Sequence, residues 1–431
     1  MVTGSQQSSV HDAIDAVWRI ESARLIAGLA RIVRDIGVAE ELAQDALVAA
    51  LEQWPQSGVP NNPGAWLMAA AKHRAIDFLR RGKRVELKHR EIGRHIDAQQ
   101  EKAASELDAM IDDEIGDDLL RLIFTACHPV LSREARVALT LRMLGGLTTD
   151  EIARAFLVRE STVAQRIVRA KRTLTEAKVP FEVPRGDEFT ARLASVLDVI
   201  YLVFNEGYTA TAGDEWMRPA LCEDALRLGR IVAELVPKEP EVHGLVALME
   251  IQASRSRARV SASGEPVLLF DQNRALWDRL LIHRGLASLD RAARLSPELG
   301  PYASQAAIAA CHARAPTPAD TDWTRIVQLY ERLSQLTPSP IVDLNRAVAV
   351  GMAFGPQAAL TIVDALCSEP LLEDYHLLPS VRGDLLSKIG RFDEARREFE
   401  RAAALTANAR ERELLLSLAA TLPSPPPPIP I

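Results

Sequence analysis

Helical periodicity runs through nearly the whole chain and leaves little room for a β-sheet. Apolar residues recur at the three- and four-residue spacings of amphipathic helices, and strand-like alternation is scarce. Ala, Leu, Arg and Glu, which favour helices, are abundant. With 431 residues, 48% of them hydrophobic, the chain is long enough for several domains with cores of their own. We therefore predict an all-α, multidomain protein.

The sequence also argues against several kinds of protein and site. No apolar run approaches the roughly 20 residues of a membrane-spanning helix, and the N-terminus lacks a signal-peptide pattern, so we expect a cytoplasmic protein without membrane contact. The four cysteines form no CxxC pair, which favours buried, unreactive thiols over disulfides or a zinc site. A phosphate-binding glycine loop, HExxH and GxSxG are absent, so we expect neither an enzyme nor a cofactor.

The segment Thr148–Leu174 has the pattern of a helix, a short turn and a second helix with two different faces. Thr148 or Thr149 can cap the first helix and Ser161 the second. The second helix is predicted to bury Val163, Ile167, Ala170 and Leu174 and to expose Thr162, Gln165, Arg166, Arg169 and Arg172. Such a basic, polar face suits the major groove of DNA, although the solvated face of an ordinary helix pair would show the same pattern.

A second basic face follows the helix-start signal Asn62–Pro63. Asn62 can cap the helix, and Pro63 at the first position loses no hydrogen bond. The predicted packing face consists of Met68, Ala71, Ala75, Phe78 and Leu79, and the opposite face of Trp66, His73, Arg74, Asp77, Arg80 and Arg81. The latter can hold phosphates and stack an unpaired base. In the alternative interpretation, Trp66 completes the bundle core and the other residues are ordinary surface.

The upstream helix Ala39–Trp54 also has two faces. Its apolar side consists of Leu42, Ala46, Ala49 and Ala50, and its partly exposed side of Glu41, Gln44, Asp45 and Val48. Acids, an amide and a valine together suit a protein partner better than DNA. A solvated helix surface is the alternative.

In this order, the three segments resemble regions 2 and 4 of a bacterial RNA polymerase sigma factor of the extracytoplasmic-function (ECF) group. The similarity is carried by "AEELAQDALVAAL", "NNPGAWLMAAAKHRAIDFLRR" and "LTLRMLGGLTTDEIARAFLVRESTVAQRIVRAKRTL". It implies that the partners are promoter DNA and the RNA polymerase core, which would be contacted through its β′ clamp and β flap.

The resemblance implies a role for each matching position. The β′ clamp would be contacted by Glu41, Gln44, Asp45 and Val48. The −10 promoter element would be recognised and opened by Asn61 and Asn62 near the flipped base, Trp66 at the melting edge, and His73, Arg74, Asp77, Arg80 and Arg81 along the DNA. The −35 element would be read by Thr162, Gln165, Arg166, Arg169 and Arg172.

The predicted domains are sigma region 2 over residues 10–82, a linker over 83–118, region 4 over 119–178, a TPR-like helical domain over 187–422 and a disordered proline-rich tail over 423–431. The linker holds the acidic run Asp112–Asp118, interpreted as a solvated stretch; in this family the linker threads into polymerase channels. The two prolines of Val179–Phe189 break helix continuity and place a boundary there.

The chain continues far beyond region 4, where typical members of the group end. The segments "DVIYLVFNEGYTATAGDEW" and "DQNRALWDRLLIHRG" resemble the ECF subgroup with a TPR-like extension. One predicted helix pair uses Gly383, Leu386, Gly390, Ala395, Phe399 and Ala402, and another helix uses Ala358, Ile362, Ala365 and Pro370. Pro237, Pro297 and Pro338 would follow further helix ends. The result is a degenerate α-solenoid with a concave surface.

This extension is predicted to modulate activity, by inhibition or by support, through an unknown ligand or protein. Phe204, Asn205, Glu206 and Tyr208 of "FNEGY" are candidate regulatory residues at a contact or hinge with region 4; a capped helix end is the alternative. The rival function is a one-component helix-turn-helix activator with a TPR-like sensor. An activator of that kind would not explain the face over Asn61–Arg81.

Overall fold

The computed structural model describes residues 4–89, 115–211, 213, 215–261 and 264–423. Over these ranges the protein is helical and contains no β-strand, only isolated bridges, which confirms the predicted all-α class. No helix in the same ranges is long and apolar enough to cross a membrane. The chain divides into two compact units, Met1–Ile200 and Tyr201–Ile431.

The first unit contains two helical bundles. Its helices are α1 (Gly4–Val33), α2 (Ile36–Ser57), α3 (Pro63–His89), α4 (Ile115–Ala126), α5 (Arg133–Met143), α6 (Thr149–Ala155), α7 (Glu160–Glu176) and α8 (Asp187–Tyr208), the last of which ends in the second unit. Helices α1, α2 and α3 pack against one another around Leu25, Leu67 and the buried ring of Trp54. Helices α5, α6 and α7 form the second bundle.

The helices reach further into the predicted linker than the sequence suggested. Helix α3 continues to His89, and α4 begins at Ile115, inside the acidic run. Asp118 is buried and pairs with Arg31 at 3.2 Å and with Arg121 at 2.6 Å. The prediction of a solvated run is therefore wrong for Asp118, because two arginines neutralise its charge. Residues 90–114, which include the first three residues of that run (Asp112–Glu114), and residues 424–431 of the predicted tail lie outside the described residues.

Helix α8 begins at the predicted boundary Val179–Phe189, and its first half packs in the first unit. The Arg192 guanidinium donates to the Phe124 carbonyl at 2.8 Å, and the Ser195 hydroxyl donates to the Cys127 carbonyl at 2.8 Å. The first half of α8 thus completes the core around α4. The prolines interrupt the helix between α7 and α8, but the compact unit continues to Ile200.

The second unit is a succession of helices in which neighbours along the chain pack together. They are α9 (Pro219–Leu235), α10 (Pro240–Ala253), α11 (Arg279–Leu295), α12 (Pro301–Arg314), α13 (Trp323–Leu336), α14 (Pro340–Phe354), α15 (Pro356–Leu366), α16 (Leu377–Lys388), α17 (Phe392–Leu405) and α18 (Ala409–Thr421). As predicted, Pro237, Pro297 and Pro338 follow the ends of α9, α11 and α13.

The final predicted helix pair corresponds to α16 and α17. A Cβ atom added at Gly383 would meet the Phe399 ring at 3.1 Å, so the glycine permits close approach of the two helices. Gly390 turns the chain between them with φ +81°. In α15 the predicted register is wrong, because Leu360 and Val363 are buried whereas Ala358 and Ala365 are exposed. Larger side chains gain more from burial and set the rotation of the helix.

Candidate nucleic-acid interface

Local sequence fixes the start of the first helix of the helix-turn-helix. The Thr148 hydroxyl accepts from the Glu151 amide at 3.1 Å, and the Glu151 carboxylate accepts from the Thr148 amide at 2.8 Å. This reciprocal capping confirms Thr148 as the cap of α6. Helix α7 begins at Glu160, after Arg159, whose side chain makes no capping hydrogen bond. The predicted cap Ser161 is therefore wrong, because Ser161 lies inside the helix.

Helix α7 has the two faces that its periodicity predicts. The apolar stripe is buried in full: Val163, Ile167, Ala170 and Leu174. On the other face Gln165, Arg169 and Arg172 are exposed, and Thr162 and Arg166 are half-buried. Arg172 pairs with Glu176 of the same helix at 3.1 Å. Arg169 has neither an ion pair nor a hydrogen bond to any described residue, so its guanidinium can contact a phosphate or a base edge.

Helix α3 carries the second predicted face. The Asn62 side chain accepts from the Ala65 amide at 3.1 Å and Pro63 is the first helical residue, which confirms the predicted start. Exposed residues on or beside this face are Asn61, Asn62, His73, Asp77, Arg80 and Arg81. Arg74 is half-buried and donates to the Ala70 carbonyl at 3.0 Å.

Trp66 has features of both predicted roles, a core residue of the bundle and a stacking surface for an unpaired base. Its ring meets the buried Trp54 edge-on, with 5.4 Å between centroids, yet the residue is only half-buried. The contact holds one edge of the ring against the bundle and leaves another part accessible. Trp66 is thus positioned by the core and can still offer a stacking surface.

The packing face of α3 differs in part from the prediction. Ala71 and Ala75 are buried as expected, but Phe78 is 41% exposed, and Leu67, at 1%, is the large core residue that the prediction missed. Leu67 and Phe78 point in nearly the same direction on a helical wheel. Periodicity gives that direction and does not reveal which of the two has a packing partner.

The proposed polymerase-facing side of α2 is largely open. Glu41, Asp45 and Val48 are exposed, while Gln44 is half-buried and donates to the Glu40 carboxylate at 2.6 Å. The opposite side is buried as predicted: Leu42, Ala46, Ala49 and Ala50.

Glu40 is a buried residue that the sequence reasoning did not select. Its side chain is 4% exposed; it accepts from the Arg142 guanidinium at 2.6 Å and forms an ion pair with the Lys171 ammonium. These cations belong to α5 and α7, so one carboxylate joins α2 to the helix-turn-helix bundle. The Arg19–Glu151 ion pair, at 2.7 Å, adds a second link between the bundles. The sequence did contain a signal for this role, because Glu40 is an acidic residue on the alanine-rich side of α2.

The "FNEGY" residues form a firmly packed helix end in the second unit. Phe204 is fully buried and stacks on Tyr208, with 5.6 Å between ring centroids. Glu206 forms an ion pair with Arg218, and the Arg259 guanidinium lies 3.6 Å from the centroid of the Tyr208 ring. Asn205 is half-buried. These contacts favour the capped-end alternative, and a regulatory role for the motif stays a prediction.

The cysteines are only partly as expected. Cys127 and Cys222 are buried, and burial raises the pKa of the two thiols to about 11 and about 12. Cys311 is half-buried and Cys367 exposed, so the expectation of burial is wrong for these two. Within the described ranges, no three His, Cys, Asp or Glu side chains group as a metal site would require.

The sequences of both helical bundles match models of known protein families. Residues 20–85 match the family model for sigma-70 region 2, and residues 121–174 match that for sigma-70 region 4. Residues 192–293 match a family of unknown function, DUF6596. An uncharacterized protein from Rhizobium meliloti is 46% identical over 384 residues, which cover 89% of each chain. The probable ECF RNA polymerase sigma factor SigI from Mycobacterium tuberculosis is 28% identical over 175 residues, 41% of this chain and 59% of that protein.

Proposed function

Because this chain belongs to the ECF group of RNA polymerase sigma factors, we propose that its two basic faces form a two-point grip on promoter DNA. The α3 face engages and helps to open the −10 element, and α7 reads the −35 element in the major groove. The exposed side of α2 binds the polymerase core, with the β′ clamp as its contact. The helical extension modulates this activity from the second unit.

The face of α7 is the observation that carries the proposal. The net charge of the chain is −7, which disfavours DNA contact over the molecule as a whole. Three arginines nevertheless lie outside the buried stripe of α7: Arg169 and Arg172 are exposed, and Arg166 is half-buried. Arginines on a helix face neutralise phosphates, and a bidentate guanidinium can select guanine in the major groove.

The α3 face supports the second point of the grip. Trp66 offers part of its ring, while Arg80 and Arg81 are exposed further along the helix. An aromatic ring that stacks on an unpaired base contributes about 1–3 kcal/mol, and nearby arginines hold the backbone of the separated strand. The rival activator function gives this face no task, and the match to sigma-70 region 2 favours the sigma interpretation.

The contacts of Glu40 imply that the two bundles separate on the promoter. Elements centred at −10 and −35 lie about 25 base pairs apart, or roughly 80 Å along B-form DNA. In the described structure α7 is ion-paired to α2, and α2 packs on α3, so the two faces belong to bundles in direct contact. The Glu40 ion pairs therefore stabilise a closed form of the first unit.

Substitution of Arg169 tests the −35 assignment. Promoters would first be identified by sequencing the 5′ ends of transcripts made by core polymerase and this chain on genomic fragments. Arg169→Ala should then weaken binding to a −35 fragment by about 1–3 kcal/mol, because a bidentate base contact is lost. Fluorescence anisotropy at several salt concentrations measures the change.

Arg154→Ala is the matched control, because Arg154 is exposed on α6 and pairs with Asp150 at 2.9 Å. It should change affinity by less than about 0.5 kcal/mol. A uniform loss across DNA sequences with a smaller salt slope would assign Arg169 to a phosphate instead. Equal affinities for the two variants would refute the proposed role of α7.

A further inference from the structure

A cleft of ≈ 800 Å³ opens in the second unit between α9, α10 and α11. Its polar lining includes Arg230, Glu234, Glu250, Arg284, Arg291 and Arg294, and Val246 contributes an apolar patch. Nearly all of this lining falls within the match to the family of unknown function. The cleft takes no part in the promoter contacts proposed above.

The cleft carries an excess of positive charge. Arg230 is neutralised by Glu250, whose Oε1 atom accepts from the Arg230 Nε and Nη2 atoms at 3.0 and 2.8 Å. The three other arginines are exposed, and no described carboxylate lies within ion-pair distance of them: Arg284, Arg291 and Arg294. Glu234 on the rim offsets only part of this charge. Arg291 also donates to the Pro237 carbonyl at 3.3 Å, a contact that leaves its positive charge without a carboxylate partner. The exposed guanidinium groups favour an anionic ligand.

The spacing of the arginines along α11 suggests where the anionic groups of that ligand lie. Arg284 and Arg291 are seven residues apart on α11, which places them on one face of the helix, about 10 Å from each other along its axis. Two separate anionic groups can pair with both guanidinium groups without drawing them together. A ligand with two anionic groups at a separation of about 10 Å therefore matches this spacing.

Glu250 adds a requirement for a hydrogen-bond donor. The residue is 2% exposed, and its Oε2 atom is buried without a hydrogen-bond partner. An unsatisfied buried acceptor is costly, and a ligand N–H would satisfy it. An extended peptide offers free backbone N–H groups, whereas an α-helical peptide uses most of its own.

An extended peptide also meets the spacing requirement. In a polyproline II segment, residues three apart lie on the same side and about 9 Å from each other. Nucleic acid fits less well, because a phosphate backbone has no N–H group to donate to Glu250 and would leave the apolar patch at Val246 unused.

We propose that this cleft binds an extended acidic segment of a partner protein. Carboxylates three residues apart pair with Arg284 and Arg291, and a backbone N–H donates to Glu250. This inference names the partner class of the helical extension and rests on the proposed regulatory function for its biological meaning. The binding itself is measurable without transcription.

The test uses the full chain and fluorescein-labelled ten-residue peptides in which two aspartates are separated by one to five positions. The peptide with aspartates three positions apart should bind most tightly by fluorescence anisotropy, and its asparagine counterpart about tenfold more weakly or worse. Arg284→Gln and Arg291→Gln should each weaken binding about tenfold. Arg279→Gln, an exposed position on α11 outside the cleft, should leave binding unchanged.

Equal binding of the aspartate and asparagine peptides, or no effect of either cleft variant, would overturn the proposal. Tighter binding of a labelled single-stranded DNA, lost in the same variants, would overturn it in favour of a phosphate ligand. Circular dichroism establishes that each variant is folded. Run-off transcription is measured separately. A failure of peptide binding therefore does not affect the promoter proposal, and a failure of transcription does not affect the peptide-binding result.

Discussion

At the residue scale, Glu40 shows how one buried charge can decide the arrangement of two bundles. Its carboxylate lies among the buried alanines of α2 and faces Arg142 and Lys171 from two other helices. Burial makes an unpaired charge costly, so the three groups stabilise one another only while they remain together. We therefore expect the closed form proposed above to depend on this triad.

Glu40→Gln should lower the free energy of unfolding by about 2–4 kcal/mol, because Gln keeps the shape and leaves two partly buried cations without a negative partner. Urea unfolding of the full chain measures the loss. Glu41→Gln is the matched control on the exposed side of the same helix and should cost less than about 0.5 kcal/mol. Similar values for the two variants would show that Glu40 does not hold the bundles together.

His312 is predicted to make stability depend on pH. Its ring meets Trp323 edge-on at 5.2 Å, and burial, with the charges of Arg255 and Arg274, lowers the His312 pKa from 6.5 to about 4. Between these pH values the unfolded chain binds a proton that the folded chain does not, so stability falls as the pH falls. The loss reaches about 3 kcal/mol near pH 4.

His312→Phe keeps the aromatic contact and removes the titration. The decrease in unfolding free energy between pH 7 and pH 4.5 should therefore be about 2–3 kcal/mol smaller in this variant than in the wild type. Urea unfolding at the two pH values measures both decreases. Parallel decreases in the two proteins would assign the acid sensitivity to other groups.

At the scale of single helices, the accuracy of the sequence reasoning follows the range of the interactions. The Thr148 cap and the buried stripe from Val163 to Leu174 depend on neighbours within a few positions, so the local sequence is enough to predict them. The place of Phe78 and the function of α8 depend on segments distant along the chain. The sequence analysis placed α8 in a helical domain that begins at residue 187, and contacts such as Arg192 to Phe124 decided which core its first half completes.

The ring of Trp66 is predicted to assist opening of the −10 element. Trp66→Ala should reduce permanganate reactivity of thymines in the opened promoter about tenfold, because stacking on an unpaired base is worth about 1–3 kcal/mol. Phe78→Ala removes another exposed aromatic ring from the same helix, outside the proposed DNA face, and should leave promoter opening near the wild-type level. Equal reactivity with both variants would exclude Trp66 from the melted strand.

At the scale of the whole molecule, the proposed promoter contacts and the basic cleft occupy different parts of the chain. The first unit holds both proposed DNA faces and the α2 surface, and the second holds the basic cleft. Separation of the first unit should follow the compact boundary at Ile200, because a cut at Gly186 removes the half of α8 that covers α4.

Run-off transcription by purified core polymerase on genomic fragments tests the two-point grip most directly, with the full chain and a version that ends at Ile200. We predict discrete 5′ ends preceded by shared −10 and −35 elements, and loss of these transcripts when Arg169 and Trp66 are both replaced by alanine. Higher activity of the shorter version would identify the extension as an inhibitor, and lower activity as a support. Absence of discrete transcripts with both versions would contradict the account.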